Sequence, residues 1–335
     1  MNKFNDIKYC IGPMSKNIVD TIIEYCNKND TKMILIPSRR QIEFDGGYVN
    51  NWTTTEFCKY VKSKTNNVYL ERDHAGPSQG KDEDNGLASL EEDCKYFDII
   101  HIDPWKAYPD FEQGLASTIE LIKYCYSKNK QLYFEVATEE AIRPFTVEEL
   151  DTLMSRLKTE LDPIIYERIV YLVIQSGTAL KEGENIGQYD NQRLKDMIAL
   201  GKKHNVLTKE HNGDWLTDEN IKEKFNEGLD ALNIAPEFGM IETKIVLNDI
   251  YEYAKPYLQE RFYKLCLESG KWKKWVNDDF KPEENKVKLI EISGHYVFST
   301  KEFSFIKKDI CIPIDNNIQK TIYKKLETLH TLTLN

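Results

Sequence analysis

Acid–base chemistry concentrates in one short stretch, Asn67 to Gly80, which reads NVYLERDHAGPSQG. Val68, Tyr69 and Leu70 are strand-forming residues; Arg72, Asp73 and His74 follow at once, and Gly76-Pro77 then breaks the chain. A guanidinium, a carboxylate and an imidazole at the mouth of a core strand are costly unless they meet partners there. The competing reading is a capped turn, since Asp and His are ordinary turn residues. The choice depends on what the other strand mouths contribute.

The elements that would position these groups alternate regularly. Strands are predicted at 9–14 (YCIGPM), 33–37 (MILIP), 68–74, 97–103 (FDIIHID), 131–137 (QLYFEVA), 168–175 (RIVYLVIQ), 206–211 (VLTKEH) and 229–235 (LDALNIA). Between them lie amphipathic stretches with recognisable starts, such as TTTE before Phe57 and Thr146 ahead of Glu148 and Glu149. A long helical tract at 238–267 is interrupted at Pro256. Eight strand–helix units in series imply a (β/α)8 TIM barrel over 1–268, an α/β fold, and no GxGxxG or P-loop pattern points to a nucleotide fold. Residues 269–335 read as a C-terminal extension with WKKW, a strand-like LIEISGHYVFS and a last helix at 317–329, packing on the barrel or on a second subunit.

In such a barrel chemistry sits where strands end. Those positions hold Ser38 and Gln41, Asp73-His74, Asp103, Glu135, Gln175, His211 and Asn233. Two of the six histidines fall on this rim, with Glu135 on a strand between them. Two His and a carboxylate from separate strands can hold a divalent metal with water or substrate completing the shell, and Asp73 would be a general base or the group that orients a ligand. Each residue also has a plain structural reading. His211 can enter a helix, Glu135 can pair with Arg72 or Lys209, Asp103 can form a turn before Pro104, and Gln175 can tie loop backbone together. His101 alternates with apolar residues and reads as a satisfied barrel histidine, His204 and His330 read as surface residues, and His295 is open between packing and a site.

Composition excludes several classes. Hydrophobic residues at 41% and charged residues at 30% describe a soluble globular chain, and a net charge of −10 argues against nucleic acid or an anionic membrane as partner. The apolar runs are strand-length, so no transmembrane helix fits, and the start MNKFNDIKYC lacks the apolar core of a signal peptide, which points to the cytoplasm. Seven scattered cysteines without a CxxC pair suggest neither a disulfide framework nor a zinc knuckle; Cys10, near a strand mouth, reads as packing. WKKW reads as packing of the extension or a subunit contact rather than a base-stacking platform.

The segments IPSRRQIEFDGGYVNNWTTTEF, RDHAGP, IHID, FEV, VIQSGTAL, KEHNGDW and ALNIAPEF, in this order, resemble the Z-type subunit of class II tagatose-1,6-bisphosphate aldolase, also described as a tagatose 6-phosphate kinase-like subunit. The likeness runs from Ile11 to Ile250, with Gln41, Phe44 to Tyr48 and Asp73-His74-x-Gly76-Pro77 as its most telling parts. Through it the chain is similar to the zinc-dependent class II aldolase barrels. The resemblance implies His74 and His211 as metal ligands, with Glu135 near the metal. Where the catalytic subunits carry a further His in a GTAHG-like segment, this chain has Gln175 to Leu180, so Gln175 or Glu135 would have to complete the shell. The loop after the seventh strand carries Asp214, which would repel a phosphate, so either Arg39 and Arg40 supply the anion contact or the substrate is a different sugar from the family's. Ser293-Gly294-His295-Tyr296 stands where the Z-type subunit has an Arg-containing stretch.

The expected function is metal-dependent aldol cleavage or condensation of a ketose or ketose phosphate through an enediolate, with Asp73 and Glu135 catalytic. Two alternatives stay open: ketose 4-epimerisation on the same site, and a non-catalytic stabilising subunit of a separate aldolase. Ser38, Arg39, Arg40, Gln41, Asp103, Gln175 and Asn233 are the expected substrate contacts, and the chain is expected to act as a homo-oligomer or beside an aldolase subunit.

Overall fold

Ile169–Ile174 is apolar and buried at every position, as a strand covered on both faces must be. In the computed structural model, which describes residues 3–252, 255–310 and 314–333, it is one of eight parallel strands. These are β1 (Tyr9–Ile11), β2 (Met33–Leu35), β3 (Val68–Ala75), β4 (Ile99–Ile102), β5 (Tyr133–Val136), β6 (Ile169–Ile174), β7 (Leu207–Glu210) and β8 (Ala231–Ile234). Each pairs with its sequence neighbours and β8 pairs with β1, closing a (β/α)8 TIM barrel.

The helices outside follow from local sequence. Lys16–Asn29 turns Ile18, Val19, Ile22, Ile23 and Cys26 inward, starts at the Ser15 cap and stops at Asp30 in the left-handed region. Thr53 with Glu56 and Thr146 with Glu149 form capping boxes, which place the helices Thr54–Lys62 and Val147–Glu160. The tract interrupted at Pro256 is two helices, Pro236–Glu252 and Pro256–Ser269.

Alternation along the strands sets the barrel's interior. On β3 the inward residues are Tyr69, Glu71 and Asp73; β5 contributes Tyr133 and Glu135, and β7 with its next residue contributes Leu207, Lys209 and His211. The lowest layer is aromatic: Phe4 plugs the barrel floor edge-on against Tyr69 and Tyr133, ring centroids 5.1 and 5.2 Å apart. In the middle layer Lys209 Nζ lies 2.6 Å from Glu71 and bonds Glu135 as well, with all three side chains buried. Asp73 and His211 form the top. Arg72 points the other way, to the helix layer, where it makes a two-pronged ion pair with Asp93 at 2.7 and 2.9 Å and donates to the carbonyls of Pro37 and Ile42. Glu135 therefore pairs with Lys209, not Arg72.

The extension corrects one expectation. LIEISGHYVFS is not a strand: Lys286–Ser293 is an α-helix and Gly294–Tyr296 a 3-10 turn. Its buried residues Leu289, Ile290, Ile292 and Ser293 fit one helix face, and a short apolar run does not distinguish the two periods. The last helix, Ile314–Thr331, packs on Lys16–Asn29 and Pro236–Glu252 through Ile318, Ile322, Leu326 and Leu329, and Tyr9 donates to the Leu329 carbonyl at 2.8 Å. Cys311 lies outside the described residues, and Cys10 is buried with its thiol pushed up by that burial. His204, read as a surface residue, is buried against Asp151 because the end of its helix faces the neighbouring one. Among the described residues no helix is long and apolar enough to cross a membrane.

Candidate metal centre

A β-bulge builds the heart of the site. Arg72 pairs with Ile100 and Ala75 with Ile102, so Asp73 and His74 occupy an irregular step of β3 where one extra residue is inserted. His74 takes φ +48°, a conformation few side-chain-bearing residues adopt. Regular alternation would send the two neighbouring side chains to opposite faces; the bulge re-aims them to the same mouth. A second left-handed residue, Ala137 at φ +76°, turns its carbonyl to accept the Nε2–H of His101 at 3.0 Å. Backbone strain of this kind persists only where surrounding structure fixes it, and it gathers at functional sites.

Four residues converge here. Asp73, His74, His101 and His211 each offer a ligand atom, and these atoms all lie within 4.8 Å of one another. The outer nitrogen of every imidazole has a protein acceptor. His74 Nδ1 meets Asp103 at 2.6 Å, His211 Nε2 meets Glu135 at 2.7 Å, and His101 Nε2 meets the Ala137 carbonyl. Donation from these atoms leaves His74 Nε2, His101 Nδ1 and His211 Nδ1 facing Asp73, at 3.7, 3.6 and 4.0 Å. That is the arrangement by which proteins fix histidine tautomers around a cation. His101 Nδ1 also accepts the His74 backbone N–H at 3.2 Å, so a cation there would have to displace that bond to use its lone pair. Three nitrogens and one carboxylate oxygen form a donor set suited to zinc.

The electrostatics agree. Burial opposes charge on every group, but the carboxylates outweigh it at two histidines: Asp73, Asp103 and Glu139 raise His74 to about 10, and Glu135 and Glu139 with Asp73 raise His211 to about 9. Burial likewise opposes charge on Asp73, yet the adjacent histidines hold its carboxyl far below the usual range. Asp103 is held low by His74, and Glu135 by Lys209, each against its own burial. The cluster is short of positive charge, and protons or a metal cation can provide it.

The cluster opens on a cavity of about 350 Å³ at the barrel mouth. Of the residues expected from sequence, Ser38, Arg40, Gln41, Asp73, His74, His211 and Asn233 line it. Asp103 and Glu135 lie behind the wall as acceptors for His74 and His211, and Glu135 is not in the ligand group. Arg39 is buried away from the cavity, held by Glu43 and Asp84. Gln175 donates to the carbonyls of Thr138 and Arg143 and accepts from Phe145 N, so it neither faces the cavity nor completes the shell. His101 fills that place from β4 instead. Sequence alternation put His101 inside the barrel as a satisfied histidine, and both ring nitrogens have partners; what it did not reveal is that Nδ1 also faces Asp73 within the cluster. Glu139, three residues beyond β5, was also missed. It lines the cavity, accepts from Asn212 Nδ2 at 3.0 Å and lies within 3.8 Å of His74 and His211; a loop position of this kind carries no periodic signal.

Asp214, expected to repel an anion, is buried and tied to backbone. Burial and neighbouring Glu237 push its carboxyl up to about 8, and its Oδ1 accepts the N–H groups of Ala235 and Glu237 at the start of Pro236–Glu252. The extension reaches the same mouth through Lys274, Trp275 and Tyr296, which complete the cavity wall.

No protein-family model matches the chain, and no curated protein matches it. Solved structures do. A protein described as a probable tagatose 6 phosphate kinase from Sinorhizobium meliloti 1021 is 15% identical, covers 97% of this chain and 96% of its own, and superposes with a TM-score of 0.73. Fructuronate-tagaturonate epimerase from Cohnella laeviribosi is 11% identical over 98% of this chain and 81% of its own, with a TM-score of 0.68. Fructose-bisphosphate aldolase from Campylobacter jejuni is 12% identical over 99% and 92%, with a TM-score of 0.61. What is shared is the barrel. It is a fold found in sugar-processing aldolases and an epimerase.

Proposed function

We propose that the chain is a divalent-metal-dependent enzyme that acts on a ketose or ketose phosphate by aldol cleavage and condensation. The observation that carries this reading is the convergence of Asp73, His74, His101 and His211, each histidine with its outer nitrogen engaged and its inner nitrogen turned toward Asp73. These four residues would hold the cation, zinc by the softness of the donors. A divalent cation there supplies positive charge for the carbonyl oxygen of a ketose.

The chain's own residues provide the rest. Asp103, Glu135 and the Ala137 carbonyl hold the three imidazoles in the tautomer that presents a lone pair. Lys209 keeps Glu135 ionised, so Glu135 acts as a positioning residue. Glu139 faces the cavity beside two histidines and is placed to take a proton from a substrate hydroxyl and to return it to the enediolate left when a carbon–carbon bond breaks. Gln41 and Asn233 offer amide groups to sugar hydroxyls from opposite parts of the wall. The trapped enediolate recombines with an aldehyde in the reverse direction.

Ketose 4-epimerisation is the second reading. It is favoured by two carboxylates, Asp73 and Glu139, that both line the cavity, and by the epimerase among the structural neighbours. The stabilising-subunit reading drew on the likeness to the Z-type subunit and on the missing sixth-strand histidine; His101, at the cluster from the fourth strand, weighs against the second of these. The test is incubation of zinc-loaded protein with ketoses and their phosphates in deuterated water, followed by NMR. Triose products support the aldolase, and a diastereomer without trioses supports the epimerase. Protein that stays metal-free, gains no thermal stability from zinc and turns over neither class of substrate would overturn the enzyme.

A further inference from the structure

The cavity carries three basic side chains that make no ion pair, although Asp103 and Glu83 act on one of them, Lys106, from a longer distance. Arg40 follows β2, Lys106 follows β4, and Lys274 belongs to the 3-10 turn Lys271–Trp275 of the extension. Other basic residues around the barrel mouth are ion-paired: Arg39 with Glu43 and Asp84, Arg72 with Asp93, Lys224 with Glu210. Among the described residues, Arg40, Lys106 and Lys274 have no such partner. Arg40 donates its Nε to the Gly80 carbonyl at 3.0 Å, leaving both terminal amino groups open, and Lys106 donates to the Ser78 carbonyl at 2.7 Å. These two cations are thus tethered two residues apart on one loop. They are close enough that Arg40 adds to the burial that lowers Lys106. Lys274 stacks over Trp275 at 4.5 Å and lies 5.4 Å from the ring of Tyr296. Tyr296 in turn packs on Tyr48, whose N–H donates to the Arg40 carbonyl.

The cavity's acids do not supply the missing counter-charge. Asp73 and Glu139 face the histidines, and Asp214 is occupied by the backbone N–H groups of Ala235 and Glu237. An acidic chain that leaves three converging cations unpaired at its barrel mouth is arranged for an anion from outside.

We infer that Arg40, Lys106 and Lys274 cradle the anionic group of the substrate, a phosphate or a carboxylate, and that the C-terminal extension completes the active site by contributing Lys274. The inference rests on the sugar-processing reading above and narrows its substrate to an acidic ketose. It also gives the extension a role beyond covering the barrel. Arg40 and Lys106 approach the anion from the loop side and Lys274 from across the Tyr48–Tyr296 pair, so the anion would bridge barrel and extension. Charge-assisted hydrogen bonds of this kind are the strong ones.

The test uses the zinc-loaded full chain and three probes: fructose, fructose 6-phosphate and fructuronate. Binding is measured by calorimetry for wild type and for Arg40→Ala, Lys106→Ala and Lys274→Ala. All three side chains are exposed, so folding is expected to be retained, and zinc content is measured in each variant. One acidic probe is expected to bind at least about tenfold more tightly than fructose, and each variant to lose about tenfold of that preference. Zinc content should not change, and Lys274→Arg should restore most of the loss. Which acid is preferred tells phosphate from carboxylate. Equal binding of fructose and both acids, or a preference that none of the substitutions moves, would overturn the cradle. A charge preference that falls in the variants without turnover of any probe supports the cradle and refutes the carbonyl chemistry; turnover without charge preference does the opposite.

Discussion

Loading of the cluster should depend steeply on pH, and the structure sets the size of the effect. In the cation-free protein His74 titrates at about 10 and His211 at about 9, because the surrounding carboxylates overcome the burial of both rings. Both therefore carry a proton at neutral pH on the nitrogen a cation needs. Binding must expel two protons, which weakens the apparent affinity at pH 7 by roughly a factor of 10⁵ relative to pH above both values. Below about pH 9 each pH unit should change the affinity about a hundredfold, twice the exponent of a site that loses one proton. Zinc binding at set free concentrations, between about pH 6 and about pH 8, measures the slope, and calorimetry in two buffers of different ionisation heat counts the protons. The same shift has a stability side. A histidine whose value is raised on folding stabilises the fold fully below its unfolded value of about 6.5, and that contribution is lost as pH rises through its folded value. Cation-free protein should therefore lose melting temperature progressively from about pH 6.5 up to about pH 9 to 10, while zinc-loaded protein should not. A flat affinity with no proton release would refute the placement of these imidazoles around a common cation.

His101→Ala should remove tight zinc binding, whereas Gln175→Ala should leave it intact and cost only about 1–3 kcal/mol of stability in urea unfolding, through the backbone groups it leaves unpaired. Glu135→Gln should weaken zinc binding about 10–100-fold by loosening His211, and should also destabilise the protein because Lys209 loses a buried partner. Arg72→Met should lower stability by about 3–5 kcal/mol, since Asp93 is left buried without its counter-ion, with zinc content per folded molecule unchanged.

The barrel was legible because most strands carry an apolar run between amphipathic helices, several with clear caps, and the rim residues followed from where those strands stop. His74 and His211 could be picked on that basis. His101 could not, because an alternating pattern does not show which groups its ring nitrogens face; the Ala137 carbonyl, fixed by a left-handed residue just after the next strand, holds Nε2 and so turns Nδ1 toward Asp73. Glu139 and Lys274 sit outside periodic elements, and Lys274 reaches the mouth from more than 150 residues beyond the first ligands only because the extension folds back over the barrel. Asp214 looked like a repulsive charge, since sequence does not show the burial that raises its carboxyl. LIEISGHYVFS was misassigned because its apolar spacing suits a strand and a helix alike.

The barrel's interior and its proposed chemistry are one electrostatic column. Glu71 and Glu135 share Lys209 in the middle layer, where burial raises Glu71 and the ammonium holds Glu135 low. Because Glu135 stays ionised it can accept from His211 Nε2, which turns Nδ1 toward Asp73. A neutral residue in place of Lys209 would raise Glu135 as well, and a protonated Glu135 could donate to His211 instead of accepting, reversing the tautomer and turning the lone pair away from the cluster. Lys209 is buried below the cavity and reaches the cluster only through Glu135 and His211, yet Lys209→Met should weaken zinc binding while Glu71→Gln, which leaves the Lys209–Glu135 pair in place, should largely preserve it. Equal zinc affinity in the two variants would show that the middle layer supports only the fold, and that His211 owes its orientation to its neighbours at the rim alone.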